Sequence, residues 1–199
     1  MAAAPELNPD IFVTKLTSTG AYVWSHSYGA DQTDEGKAIA VDRSGNVVVT
    51  GIRAGTGSIT GGAAGDMFVA KYAAATGTQL WARAGGSGSY IDTGRSVTTD
   101  GSDNVIVTGS FQGTADFGGT SLTSAGGLDI FVAKYAATTG ATQWLKSYGG
   151  ILGDEGFGVA TDAAGNVIVT GYFSDAVDFG GGALTSAGGF DAFVLKLTP

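Results

Sequence analysis

The chain has no cysteine, which excludes disulfides, thiolate metal ligands and cysteine nucleophiles. Proline is nearly absent as well: the three prolines stand at positions 5, 9 and 199, and none falls between Asp10 and Thr198. Proline-rich disorder is therefore excluded. A single histidine, His26, leaves little for His-based catalysis or a His-rich metal site. Basic residues are outnumbered, 10 against 18 acidic ones, giving a net charge of −8 that repels a phosphate backbone or an anionic membrane surface. Neither nucleic acid nor membrane insertion is expected, since no apolar run approaches the ~20 residues that span a bilayer. Residues 1–10 carry neither a basic n-region nor an apolar h-region. Residues 1–9 read as a disordered or linker-like lead-in to one domain at 10–199.

What the chain has in abundance is glycine: 35 in 199 residues, about 18%, against a typical ~7%. Without proline or a collagen period, and in a chain that is 43% hydrophobic, such glycine points to many tight turns between short strands.

Self-comparison reveals a repeat. Asp-x-Phe-Val-x-Lys begins at Asp10, Asp66, Asp129 and Asp191, with spacings of 56, 63 and 62 residues. Trp24, Trp81 and Trp144 recur in step, as do Asp34, Asp92 and Asp154, then Asp42, Asp100 and Asp162, each of the last followed by a turn ending in Asn-Val. The units are 10–65, 66–128 and 129–190, with a partial unit at 191–199. In the third unit, β-type runs at 129–135, 142–148, 156–162 and 167–173 are separated by turn chemistry, and a Gly-rich stretch at 178–189 precedes the next unit. No window has helical periodicity. The expected fold is all-β: a β-propeller of ~60-residue, four-stranded antiparallel blades, three per chain plus one extra strand, thirteen strands in all.

Residues 153–171 (Gly-Asp-Glu-Gly-x-Gly-Val-Ala-Thr-Asp-x-x-Gly-Asn-Val-x-Val-Thr-Gly), followed by Asp-Phe-Gly-Gly, Leu-Thr-Ser-Ala-Gly-Gly and Asp-x-Phe-Val-x-Lys, resemble the bacterial SBBP β-propeller repeat. The resemblance covers nearly the whole chain from Asp10. It implies a propeller found mostly in large secreted or surface bacterial proteins, hence an extracellular or cell-surface setting, and no defined activity. The Asp-x-x-Gly-Asn-Val element also resembles the inner-strand turn of NHL-type propellers, which implies a blade order of third, fourth, first and second run. Unit one departs at 53–57, where Arg-Ala-Gly-Thr-Gly replaces Asp-Phe-Gly-Gly.

The candidate sites divide by chemistry. Trp24, Trp81 and Trp144 are expected to pack between blades, the alternative being repeated sugar platforms as in propeller lectins. Lys15, Lys71, Lys134 and Lys196 suit ion pairs with a recurring Asp or snorkelled stems. The acidic turns Asp34-Glu35, Asp92 and Asp154-Glu155 are where calcium would bind, but two carboxylates fall short of its six to eight oxygens, so hydrogen-bonded turns are favoured. His26 aligns with Arg83 and Lys146 and reads as an exposed strand residue. No nucleophile elbow, Walker loop or Rossmann loop is present. Ligand chemistry is expected where the units differ, on the inner strand at Lys37, Arg95 and Phe157. The reading is a non-catalytic structural or interaction scaffold with no cofactor, the alternatives being a carbohydrate-binding lectin and a glycoside hydrolase-like enzyme with a carboxylate pair. Three blades are too few to close a ring, so a homodimer forming one six-bladed ring with a shared blade is expected, with an excised piece of a longer array as the rival. In that shared blade, runs 156–173 and 191–197 of one chain would meet the strand near Trp24 of the other, and the Asp10 and Asp191 runs would compete for one place.

Overall fold

The computed structural model describes residues 10–29, 33–54 and 65–198. The lead-in at 1–9 and positions 55–57 of the shortened connection lie outside them. The described residues contain no helix and form fifteen strands, all paired antiparallel.

Sheet I is the hairpin β1 (Ile11–Leu16) and β2 (Tyr22–Tyr28). Sheet II runs β3 (Glu35–Val41), β4 (Val47–Arg53), β5 (Asp66–Tyr72), β6 (Gln79–Gly85). Sheet III runs β7 (Thr93–Thr99), β8 (Val105–Phe111), β11 (Asp129–Tyr135), β12 (Thr142–Tyr148), with a short hairpin of β9 (Thr114–Asp116) and β10 (Ser121–Thr123) between its second and third strands. Sheet IV has three strands, β13 (Glu155–Thr161), β14 (Val167–Asp178) and β15 (Ala183–Leu197). Within sheets II and III the order is third, fourth, first and second run of the sequence repeat, so each sheet straddles two sequence units.

Fifteen strands replace the expected thirteen because the Gly-rich stretch is not plain connection. In sheet III it folds into β9–β10, and in sheet IV it extends β14 and β15 into one long hairpin that pairs Val177 with Leu184.

The sheets stack face to face in chain order, and strand alternation explains how. In Asp-x-Phe-Val-x-Lys, the residue after Asp and the Val point to the following sheet, while the Phe points to the preceding one. Thus Ile11, Val13 and Trp24 of sheet I pack on Val47, Val49, Phe68 and Ala70 of sheet II. Val48, Met67, Val69 and Trp81 of sheet II pack on Val97, Val107, Phe131 and Ala133 of sheet III. Ile106, Ile130 and Val132 of sheet III pack on Val169, Phe193 and Leu195 of sheet IV. Each buried Val, Ile, Leu, Met or Phe among these contributes roughly 1.5–3 kcal/mol of burial. The three seams are one interface repeated.

Polar residues tie the strands of each sheet together. The Asp42 carboxylate accepts from the Asn46 amide (2.8 Å) and side chain (2.9 Å) and pairs with Lys71 at 2.8 Å. Asp100 does the same with Asn104 and Lys134, and Asp162 with Asn166 and Lys196. Lys71 and Trp81 then donate to the Ala137 carbonyl in the next sheet, at 3.0 and 3.1 Å.

The described strands stop short of a closed ring. Sheet I has only the two strands that correspond to the last two of sheets II and III, and sheet IV has no fourth strand beside β15.

Candidate functional site

The leading strands β3, β7 and β13 each carry a β-bulge, and the extra residue is Lys37, Arg95 or Phe157. A bulge lifts one residue out of the ladder and re-aims its side chain, so the three positions chosen for their variability are also the three that the fold frees. The bulge rests on the Thr-Gly pair of the second strand. A Cβ at Gly51, Gly109 or Gly171 would collide with the carbonyl of Glu35, Thr93 or Glu155, and the preceding Thr50, Thr108 and Thr170 hydroxyls donate to the third strand's Phe carbonyl at 2.6–2.8 Å.

Arg95 and Phe157 meet. The Arg95 guanidinium lies 4.9 Å from the Phe157 ring centre and forms an ion pair with Glu155. Glu155 also accepts from the Tyr172 hydroxyl at 2.7 Å and from Ser110 at 3.4 Å. Burial first, then the bond to Glu155, pushes the Tyr172 hydroxyl up to about 12. It therefore donates at neutral pH and is no base. Phe190 packs tilted against Tyr172 with ring centres 4.5 Å apart, and beyond it opens a groove of about 620 Å³ lined by Leu152, Ser174, Asp175, Ser186 and Phe190 among others. Lys37 stands apart, paired with Glu35 of its own strand.

Sequence reasoning named Arg95 and Phe157 but not Tyr172 or Phe190, and it read Glu155 as part of a hydrogen-bonded turn, with calcium as the alternative, rather than beside Arg95. A signal existed: Arg95 and Tyr172 depart from the repeat within one seam, their matches in the seam before it being Lys37 and Ser110, while Glu155 recurs as Glu35 of the first unit.

The other candidates serve the scaffold. Trp24 and Trp81 are buried, and their indole N–H groups donate to Ala74 and Ala137 of the next sheet; Trp144 is half-buried at the margin of the sheet III–IV seam. Asp92 accepts from the Gln112 amide (2.9 Å) and from Ser87, and Asp154 from the Ser174 and Gly150 amides (both 2.8 Å). Asp34 likewise accepts from the Ala54 amide at 2.9 Å. These carboxylates staple the start of each leading strand to the end of its neighbour. Among the described residues no three His, Cys, Asp or Glu side chains converge as a metal site. His26 is exposed on β2, its ring 3.4 Å from the Thr76 carbonyl.

No protein-family model matches the chain, and no curated protein matches it.

Proposed function

We propose that the chain is a β-propeller repeat module that acts as a structural and interaction scaffold, not as an enzyme, and that its working surfaces are its two unfinished ends. The carrying observation is positional. Phe68 and Phe131 are buried in internal seams, whereas Phe12 at the same repeat position is 77% exposed; Val69 and Val132 are buried, whereas Val194 is 78% exposed. Both ends thus present the faces that elsewhere in the chain cover each other.

Rings of this kind have about 4 to 8 blades. Two copies of a three-blade chain related by a two-fold axis would bring six blades, within that range. The repeat's resemblance supports a bacterial extracellular or surface setting. A lectin reading draws no support from Trp24 and Trp81, whose rings are covered, and a hydrolase reading lacks a free acid–base pair at Glu155, which is held by Arg95 and Tyr172.

Light scattering coupled to size exclusion tests the proposal. A particle of about twice 19.8 kDa is expected at micromolar concentration. A stable, monodisperse monomer would overturn it.

A further inference from the structure

Resting on the ring reading, we propose that the end of β15, residues 191–197, is a placeholder, and that in the assembled protein β1 of a second copy takes its position beside β14. The β1–β2 hairpin then enters as the outer half of the blade that β13 and β14 begin.

Four observations carry this. First, β1–β2 already sits on sheet II as β5–β6 sits on sheet III. Lys15 and Trp24 both donate to the Ala74 carbonyl, as Lys71 and Trp81 do to Ala137. Its radial position is fixed, and adding β1 outside β15 would shift it by a full strand spacing of ~4.8 Å. It would also make a parallel pair, because the two strands hold the same place in the repeat.

Second, Lys15 has no carboxylate partner among the described residues, although Lys71 and Lys134 pair with buried Asp42 and Asp100. The acid its position calls for is Asp162. Lys196 holds that acid at 3.2 Å in a far more exposed pair.

Third, β15 is the poorer strand for that place. The residue after the leading Asp, which fills the next seam, is Met67, Ile130 and, in β1, Ile11, all buried; in β15 it is Ala192. A blade built with β15 would present alanine to the following sheet. One built with β1 brings Ile11 and Val13, which are already seated there.

Fourth, the ends hold complementary halves of other seam contacts. In the sheet II–III and III–IV seams the Thr50 and Thr108 hydroxyls press against Gly94 and Gly156, leaving no room for a Cβ. At the ends Thr170 is exposed, and Gly36 meets only Ile11 and Val49 at ordinary contact distance. The Asp92 and Asp154 amides donate to the Gly65 and Leu128 carbonyls, both at 2.7 Å. The counterpart of those carbonyls in sheet IV is that of Phe190, at the rim of the groove, which the Asp34 amide of a second copy would reach. Asp10 of that copy then follows Phe190 in space, as Asp129 follows Leu128 in sequence.

The register is fixed by analogy with sheet III, where Val107 faces Ala133: Val169 should face Thr14 of the second copy, as it now faces Leu195. Because the chain lacks cysteine, Thr14→Cys with Val169→Cys gives a clean test. Oxidation is expected to yield a covalent dimer on non-reducing gels. A particle of dimer mass that fails to cross-link, while Leu195→Cys with Val169→Cys closes within each chain, would overturn the exchange and leave the ring reading standing. A monomeric parent chain would overturn both.

Charge substitutions supply an independent reading. Phe12→Asp is expected to raise the dimer dissociation constant at least tenfold, because Phe12 would enter the place of buried Phe193, and Val194→Asp to leave it within threefold. The reverse pattern, with Val194→Asp dispersing the dimer, would mean that β15 stays in place and would overturn the exchange.

Discussion

The repeated aspartates divide into two electrostatic classes set by their partners. Burial alone would raise Asp42 and Asp100, but the hydrogen bonds from Lys71 and Lys134, and those from Asn46 and Asn104, outweigh it and hold both below the usual range. Asp162, bonded by Asn166 and then Lys196, is held down to about 2. Asp129 goes the other way. Burial pushes it up to about 6 against one amide bond from Ala125, with the nearby Asp154 charge adding to the rise, and its Oδ1 is buried with no hydrogen-bond partner. Asp92 and Asp154 are raised too, chiefly by burial. A carboxyl raised from 3.8 keeps its proton longer in the folded state. Its contribution to stability is therefore present at low pH and lost as pH rises through about 6. The depressed group acts oppositely, losing its contribution as pH falls below about 4. Stability should peak near pH 4. Asp129→Asn is expected to flatten the limb between about pH 4 and 7, worth on the order of 2 kcal/mol, as read from thermal melts across that range. An unchanged pH profile in the variant would show that Asp129 titrates normally.

At the scale of elements, the bulges are the least forgiving feature. A Cβ at Gly109 would strike the Thr93 carbonyl, which is backbone and cannot swing aside, and would crowd the Phe131 ring at 2.9 Å. Gly109→Ala is expected to cost about 1–3 kcal/mol or more, whereas Gly153→Ala, with nothing within 4 Å, should stay within ~0.5 kcal/mol. Urea midpoints compare the two, and equal midpoints would contradict the close approach. These bulges were illegible in the sequence because an inserted residue preserves composition and shifts the alternation by only one position. Strands such as Asp129–Tyr135 and Thr142–Tyr148 were legible to the residue, since their aromatic and β-branched runs end in Gly-bearing turns. The 178–189 stretch was not: its glycines read as connection, yet neighbours on both sides supply ladder partners that outweigh weak intrinsic propensity. Recurrence gave Trp24, Trp81 and Trp144 one strand position but could not separate packing from platforms; the structure buries the first two between sheets and leaves Trp144 half-buried. The meeting of Arg95 with Glu155 and Tyr172 joins residues up to 77 positions apart in sequence, a juxtaposition that only the stacking of sheet III on sheet IV creates.

For the whole molecule, association and folding should be one event. The faces that the proposed dimer covers are equivalents of seams that make up most of each sheet's core, so separated copies would leave Phe12 and its neighbours in water. Melting of a dimer to unfolded monomers depends on concentration, because the unfolded state gains a particle. With ~0.7 kcal/mol per residue of unfolding enthalpy and 199 residues in each copy, the pair unfolds with about 280 kcal/mol. The van't Hoff relation then gives a rise in Tm of roughly 2 °C per tenfold increase in protein, or about 4 °C over a hundredfold range. A chain whose ends are merely tolerated as exposed surface would melt at one temperature throughout that range, or precipitate earlier as it is concentrated. Differential scanning fluorimetry from 0.5 to 50 micromolar (about two decades) distinguishes them. Phe12→Asp sharpens the comparison. A dimer weakened tenfold is expected to melt about 2 °C lower at every concentration.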